Sequence, residues 1–169
     1  MIDLIKKNNE VFYTKKNLNF ISQKHINFLK KKVDLTKNKR ARICLHKDSS
    51  KLHEMIIILS KKTYIRPHKH VNKPESLHVI EGKADAIFFN DKGKILKKLK
   101  MKKNNKLNFL YRLTNSTFHC LIVKSKYFVF HESTIGPLNK KKTIYANWSP
   151  HNDDIAGIKL FKRNLIKYC

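Results

Sequence analysis

The stretch YIRPHKHVNKPESLHVIEG, from Tyr64 to Gly82, decides how this chain is read. It carries a His-x-His pair, His68 and His70, followed five residues later by a carboxylate, Glu75, in a chain with only 12 acidic residues. Gly82 closes it seven residues further on. Side chains two apart on a strand point to one face, so His68 and His70 present their imidazoles together. After the VNKP loop a new strand begins. Its alternation puts Glu75, Leu77, Val79 and Glu81 on one face and Ser76, His78 and Ile80 on the other. With Glu75 turned inward, Leu77 and Val79 fill the core beside it and His78 points out.

Two imidazoles and a carboxylate suit a divalent transition ion. Neutral imidazole takes Fe, Ni, Cu or Zn, and the carboxylate lowers the net charge of the site. The spacing H-x-H-x4-E-x6-G would arise by accident on the order of 3 × 10⁻⁴ times in a chain of this composition. It therefore outweighs the ordinary reading of a lone His pair as surface or core. A fourth donor should come from a later strand. His119, in LTNSTFHCLIV, stands just before an apolar strand; His131, in YFVFHES, competes with it. His46, His53 and His151 lie in polar contexts, and His25 lies on a helix.

Outward from this stretch the pattern is of short strands. EMIIILS, TYIRPH, SLHVIEG, KLNFLYRL, FHCLIVKS and KYFVFHES read as strands, and KADAIFFNDKGKILKKLKM as two strands joined by a turn at Asn90-Asp91-Lys92-Gly93. Strands every ten residues or so suggest a sandwich or barrel. Upstream, LNFISQKHINFLKKK (18–32) has helical spacing, with Ser22 lying inside the helix rather than capping it, and ARICLHKDSS reads as a strand entering a polar turn. The organisation expected is a helical segment over 1–40, a β domain over 41–150, and a tail over 151–169 that packs on the barrel or on a partner subunit.

The 169 residues suffice for one domain with a real core. The longest apolar runs, MIIIL and AIFF, are strand-sized, so no membrane span is expected. The start, MIDLIKKNNEVF, lacks the order of a signal peptide. Cys44, Cys120 and Cys169 form no CxxC pair and no disulfide framework, which points to a reducing cytoplasm. The formal charge of +26 would suit nucleic acid, but arginine occurs five times against 33 lysines, and the lysines are dispersed. Nucleic-acid readers lean on arginine forks. The charge reads as compositional drift in an AT-rich genome, and no specific nucleic-acid partner is expected.

At its histidines the sequence resembles the cupin superfamily, whose first motif is G-x5-H-x-H-x3–4-E-x6-G. His68, His70, Glu75 and Gly82 match, and Lys62 replaces the leading glycine. Of the second motif, G-x5-P-x-G-x2-H-x3-N, His119 remains, while Thr114, Ser116 and Val123 stand at the other positions. Within cupins the chain is most similar to the WbuC family of cupin-fold metalloproteins, through RARICLH, TYIRPHKHVNKPESLHVIEGKADAIFFNDKGKI, HESTIGP and YANWSP.

The resemblance implies an all-β, single-domain cupin-type antiparallel β-barrel, jelly-roll-like, with an N-terminal helix. It implies one divalent transition-metal ion (Fe, Mn, Ni or Zn) on His68, His70, Glu75 and His119, with Gly82 turning the chain between two strands. Arg42, His46 and Arg66 become candidates for substrate binding, and Glu132 and Tyr64 for catalysis. The function implied is a metal-dependent isomerase, oxygenase or lyase on a small polar molecule, such as a sugar derivative of surface polysaccharide (O-antigen) biosynthesis, in a homodimer. A non-catalytic metal-dependent binding module, and a basic nucleic-acid or surface-binding protein with a structural metal, are the alternatives.

Overall fold

The computed structural model describes residues 3–103 and 106–167. Its strands are β1 (Leu4–Lys6), β2 (Val11–Thr14), β3 (Arg40–Cys44), β4 (Leu52–Ser60), β5 (His68–His70), β6 (Glu75–Glu81), β7 (Lys83–Phe89), β8 (Ile95–Lys102), β9 (Leu110–Leu113), β10 (Phe118–Val123), β11 (Tyr127–Ile135) and β12 (Thr143–Tyr145). Two helices, α1 (Gln23–Val33) and α2 (Ile155–Lys167), complete the chain. A seven-stranded sheet runs β1-β2-β3-β4-β11-β6-β9 and a five-stranded sheet β12-β5-β10-β7-β8. They stack as an open jelly-roll sandwich. All pairings between strands are antiparallel except β2 with β3.

β4 and β10 are apolar on both faces, which is why MIIIL and FHCLIV read as continuous runs. Between the sheets lie Leu59, Leu77, Val79, Phe128 and Phe130 from one side and Ala84, Ala86, Phe88, Met101, Leu121 and Val123 from the other. The outer face of the seven-stranded sheet, with Ala41, Ile43, Ile56, Ile58 and Val129, is covered by Ile26, Leu29 and Val33 of α1. On the five-stranded sheet, Ile87, Phe89, Phe118, Cys120 and Ile122 meet Leu165 and Phe161 of α2, with Trp148 between. A fully buried side chain of this size contributes roughly 1.5–3 kcal/mol, so each helix is held by its tertiary face rather than by propensity.

Local signals explain the ends of the elements. Ser22 is the N-cap of α1, and His25 Nδ1 accepts the Ser22 backbone N–H at 3.1 Å. The helix thus starts five residues later than its periodicity suggests. Its last turn carries Lys30, Lys31 and Lys32, complementary to the helix dipole. At the other end of the chain the Asp154 carboxylate accepts the Gly157 N–H at 2.8 Å, fixing the start of α2. The TYIRPH stretch is not a strand before His68: Pro67 has no N–H, and its carbonyl is taken by Ala146 N–H at 2.9 Å. Alternation in β6 holds through Glu75, Leu77 and Val79. Glu81 lies beyond a bulge in the β6–β11 ladder and pairs instead with Lys30 of α1, at 2.5 Å.

Gly82 joins β6 to β7 with φ of 89°, and a Cβ there would stand 2.2 Å from the Tyr127 carbonyl oxygen. Both the left-handed backbone and the close approach demand glycine. Gly82→Ala is expected to lower stability by roughly 1–3 kcal/mol. Urea denaturation measures this, and an unchanged midpoint would refute the tight β6–β7 turn.

Candidate metal centre

β5 and β10 are neighbours in the five-stranded sheet, with His68 directly opposite His119. His70 is two residues along β5, so it shares the face of His68. His119 shares the inner face of β10 with Leu121 and Val123. One ring nitrogen from each of His68, His70 and His119 lies within 4.8 Å of the others. Glu75 enters from the opposite sheet. Its Oε1 lies 3.1 Å from His119 Nε2 and its Oε2 3.7 Å from His70 Nε2. The four residues thus converge from two strands of one layer and one of the other.

The second nitrogen of each ring is bonded outward. His68 Nδ1 donates to the Arg66 carbonyl (2.8 Å), His119 Nδ1 to the Thr117 carbonyl (2.9 Å), and His70 Nδ1 lies 3.0 Å from the Thr143 hydroxyl. A carbonyl partner fixes the Nδ1–H tautomer and leaves the Nε2 lone pair facing inward. Burial, then the neighbouring His119, lowers the His68 pKa to about 3; burial also lowers that of His70. Both rings stay neutral and can donate to a cation. This donor set fits a divalent transition ion.

Glu75 is buried, and burial opposes its ionisation, but His119 more than offsets this and holds the carboxyl below its usual range. Reciprocally, burial works against a charge on His119, and Glu75 raises its pKa. Tyr111 OH donates to Glu75 Oε1 at 3.1 Å, orienting the carboxylate. Nothing in NFLYRL marks Tyr111 as part of a site. Its role follows from β9 pairing with β6, which sets Tyr111 beside Leu77.

Glu132 faces the interior, opposite Leu77 and Met55 in neighbouring strands. Burial and then the Glu75 charge push its pKa up, against Arg42, His119 and Lys73. Arg42 lies on the inner face of β3, since its neighbours Ala41 and Ile43 pack under α1. Half-buried Lys73, two residues before Glu75, is a cation near both carboxylates that the spacing argument does not single out.

Other expected site residues lie elsewhere. Tyr64 OH donates to the Pro150 carbonyl (3.0 Å), and Arg66 bonds Ser149 Oγ (3.2 Å) and the Ala146 carbonyl (2.9 Å), so both side chains hold the carboxy-terminal segment. His46 stacks on His53 at 3.9 Å and accepts the Glu54 N–H, in the β3–β4 connection. His131 stands opposite exposed His78 on the outer face, 3.6 Å from Glu54, which separates it from the cluster. Cys44 and Cys120 are buried free thiols, and Cys169 lies outside the described residues. A cavity of about 450 Å³ lies away from the histidines, lined by Leu4, Phe12, Phe28 and Leu35 among others.

A family model described as a domain of unknown function (DUF6016) matches residues 21–101, a little under half of the chain; it includes His68, His70 and Glu75 but not His119. No curated protein sequence matches the chain. Among solved structures, the capsular polysaccharide assembling protein CapF from Staphylococcus aureus is similar, with a TM-score of 0.55 and 13% identity. The match covers 65% of this chain and 32% of CapF, so the chain spans about a third of that protein's length. Protein SO0799 from Shewanella oneidensis has a TM-score of 0.51 and 7% identity over 73% of this chain and 77% of its own. The fold is of the cupin type. No helix among the described residues is long and apolar enough to cross a membrane.

The Glu75–His119 pair gives metal-stripped protein a pH signature. A raised His119 pKa contributes stability that is full below the unfolded value of about 6.5 and is lost as pH rises through the folded value. The lowered Glu75 pKa contributes stability that is lost only in acid, as pH falls through its folded value. Chelator-treated protein should therefore weaken as pH rises above about 6.5, and His119→Gln should flatten that slope. Denaturant midpoints across this range check it.

Proposed function

We propose that His68, His70, Glu75 and His119 hold one divalent transition-metal ion, iron, manganese, nickel or zinc. On this reading the protein is a metal-dependent enzyme acting on a small polar molecule, a sugar or sugar-nucleotide intermediate of surface polysaccharide. The observation that carries the reading is the set of three inward-facing imidazoles, each with its other nitrogen bonded outward, closed by a carboxylate from the opposite sheet. The sequence resemblance to the WbuC family supports the polysaccharide setting, as does the description of CapF as a capsular polysaccharide assembling protein.

An ion held by His68, His70, Glu75 and His119 would supply Lewis-acid polarisation of a ligand oxygen. The chain's own residues do the rest. Tyr111 fixes the Glu75 carboxylate through its hydroxyl. Phe88 and Leu77, buried in the inter-sheet core, exclude water from the inner wall. Glu132, whose proton affinity is raised, would take or return a proton at a ligand atom facing β11. The role is chemically apt because a carboxyl that binds its proton near neutrality serves in both directions.

Elemental analysis of the purified protein should find one equivalent of metal per chain. His70→Ala and His119→Ala should each weaken metal binding by more than about 100-fold and melt at lower temperature, because an ion bound to the folded state adds to its stability. His78→Ala should retain metal. Loss in His78→Ala with retention in His119→Ala would overturn the ligand set. In a screen of sugar nucleotides, Glu132→Gln should reduce turnover by about 100-fold or more with metal content intact. Metal-dependent binding without turnover would favour the non-catalytic module.

A further inference from the structure

A second feature of the interior concerns what the ligand must carry. Arg42 points from β3 to the inner face of the seven-stranded sheet, and its Nε is buried without a hydrogen-bond partner. No carboxylate within ion-pair distance neutralises it among the described residues; the Arg40–Glu10 pair uses the neighbouring arginine instead. His53 Nε2 is likewise buried and unpartnered. His53 stands in one inward-facing row with Thr134 and Glu75 on successive strands, and its ring stacks on His46. The apolar cluster beside Arg42 is formed by Val11, Cys44 and Met55 of β2, β3 and β4.

Buried donors in native proteins are almost always paired, and leaving a guanidinium donor unmade is costly. The unpaired guanidinium donor, on the inner face that holds Glu75 and Glu132, marks the place of an acceptor supplied from outside. Arginine's planar fork matches carboxylate and phosphoryl oxygens. We propose that Arg42 anchors an oxyanion of the ligand, so that the molecule reaching the histidines carries a carboxylate or phosphoryl group. This rests on the interior being the ligand site, but not on the metal being bound.

The inward carboxylates sharpen the reading. Glu75 and Glu132 would repel an anion placed beside the histidines, whereas Arg42 lies across the β4 and β11 strands from Glu75.

With only five arginines, the guanidinium Nε–H signals of ¹⁵N-labelled full-length protein can be resolved. Inorganic phosphate and, separately, acetate are titrated at constant ionic strength. One Nε–H signal, identified by its absence in Arg42→Lys, should shift and saturate. The two arms show whether phosphoryl or carboxylate oxygens are preferred. Thermal stabilisation by the effective anion should need about tenfold more anion in Arg42→Lys. No shift with either anion overturns the proposal, as does equal stabilisation of parent and Arg42→Lys, which would assign the effect to surface lysines. Should Arg42→Lys not fold, Arg42→Gln identifies the signal, and the parent titration decides alone. Saturation in parent protein that proves metal-free would sink the metal reading and keep this one; metal-loaded protein with an unmoved Arg42 signal does the reverse.

Discussion

The site depends on how a strand of three residues is held. β5 carries two of the histidines, yet it meets β10 through the single pair His68–His119 and is otherwise bordered by β12. Such a short strand has little intrinsic stability. Its register is fixed from outside: Pro67 receives the Ala146 N–H, Arg66 grips Ala146 and Ser149, and Tyr64 reaches Pro150. The segment thus gripped leads into α2, whose Leu165 and Phe161 seat on the back of the same sheet. The two residues the sequence offered as pocket groups, Tyr64 and Arg66, are fasteners of the strand that carries the histidines. The carboxy-terminal helix, remote from the histidines in sequence, is mechanically part of their support.

Electrostatics follow a similar economy. The chain has few carboxylates, and several of those it has are spent in specific places. Asp85, buried on the outer face of β7, sits 3.3 Å from both Lys98 and Lys124. Lys30 pairs with Glu81 across the seam between α1 and the sheet. Some lysines are therefore structural, although most remain solvated. Inside the sandwich the balance inverts: Glu75 faces His119, each favouring the other's charge, and Arg42 and Lys73, the further cations that temper Glu132, stand at the margins.

How much of this could be read in advance follows from the physics of each segment. Residues 75–79 alternate because one face of β6 is core and the other open, so the inward turn of Glu75 and the outward turn of His78 were legible. FHCLIV is buried on both faces, beneath α2 and against the other sheet, so periodicity could not show that His119 shares a face with Leu121; only pairing with β7 and β5 does. His131 was separable from His119 only by the same means. β1, β2 and β12 are short and rich in polar neighbours, and they exist because a sheet edge was there to receive them. The role of Tyr111, and the commitment of Arg66 to backbone carbonyls, arise from contacts between segments far apart in sequence. The cupin motif gave the ligand set its expectation; the partners of those ligands had no motif to announce them.

The outward bonds of the three imidazoles differ in kind. His68 and His119 lean on main-chain carbonyls, of Arg66 and Thr117, which no replacement of those side chains removes. His70 leans on the hydroxyl of Thr143. Over evolutionary time the aim of two rings is insulated from point substitution, while that of the third is exposed to it. Divergence among related chains should thus be able to retune one arm of the triad through position 143 alone, shifting how firmly His70 donates without disturbing the other two.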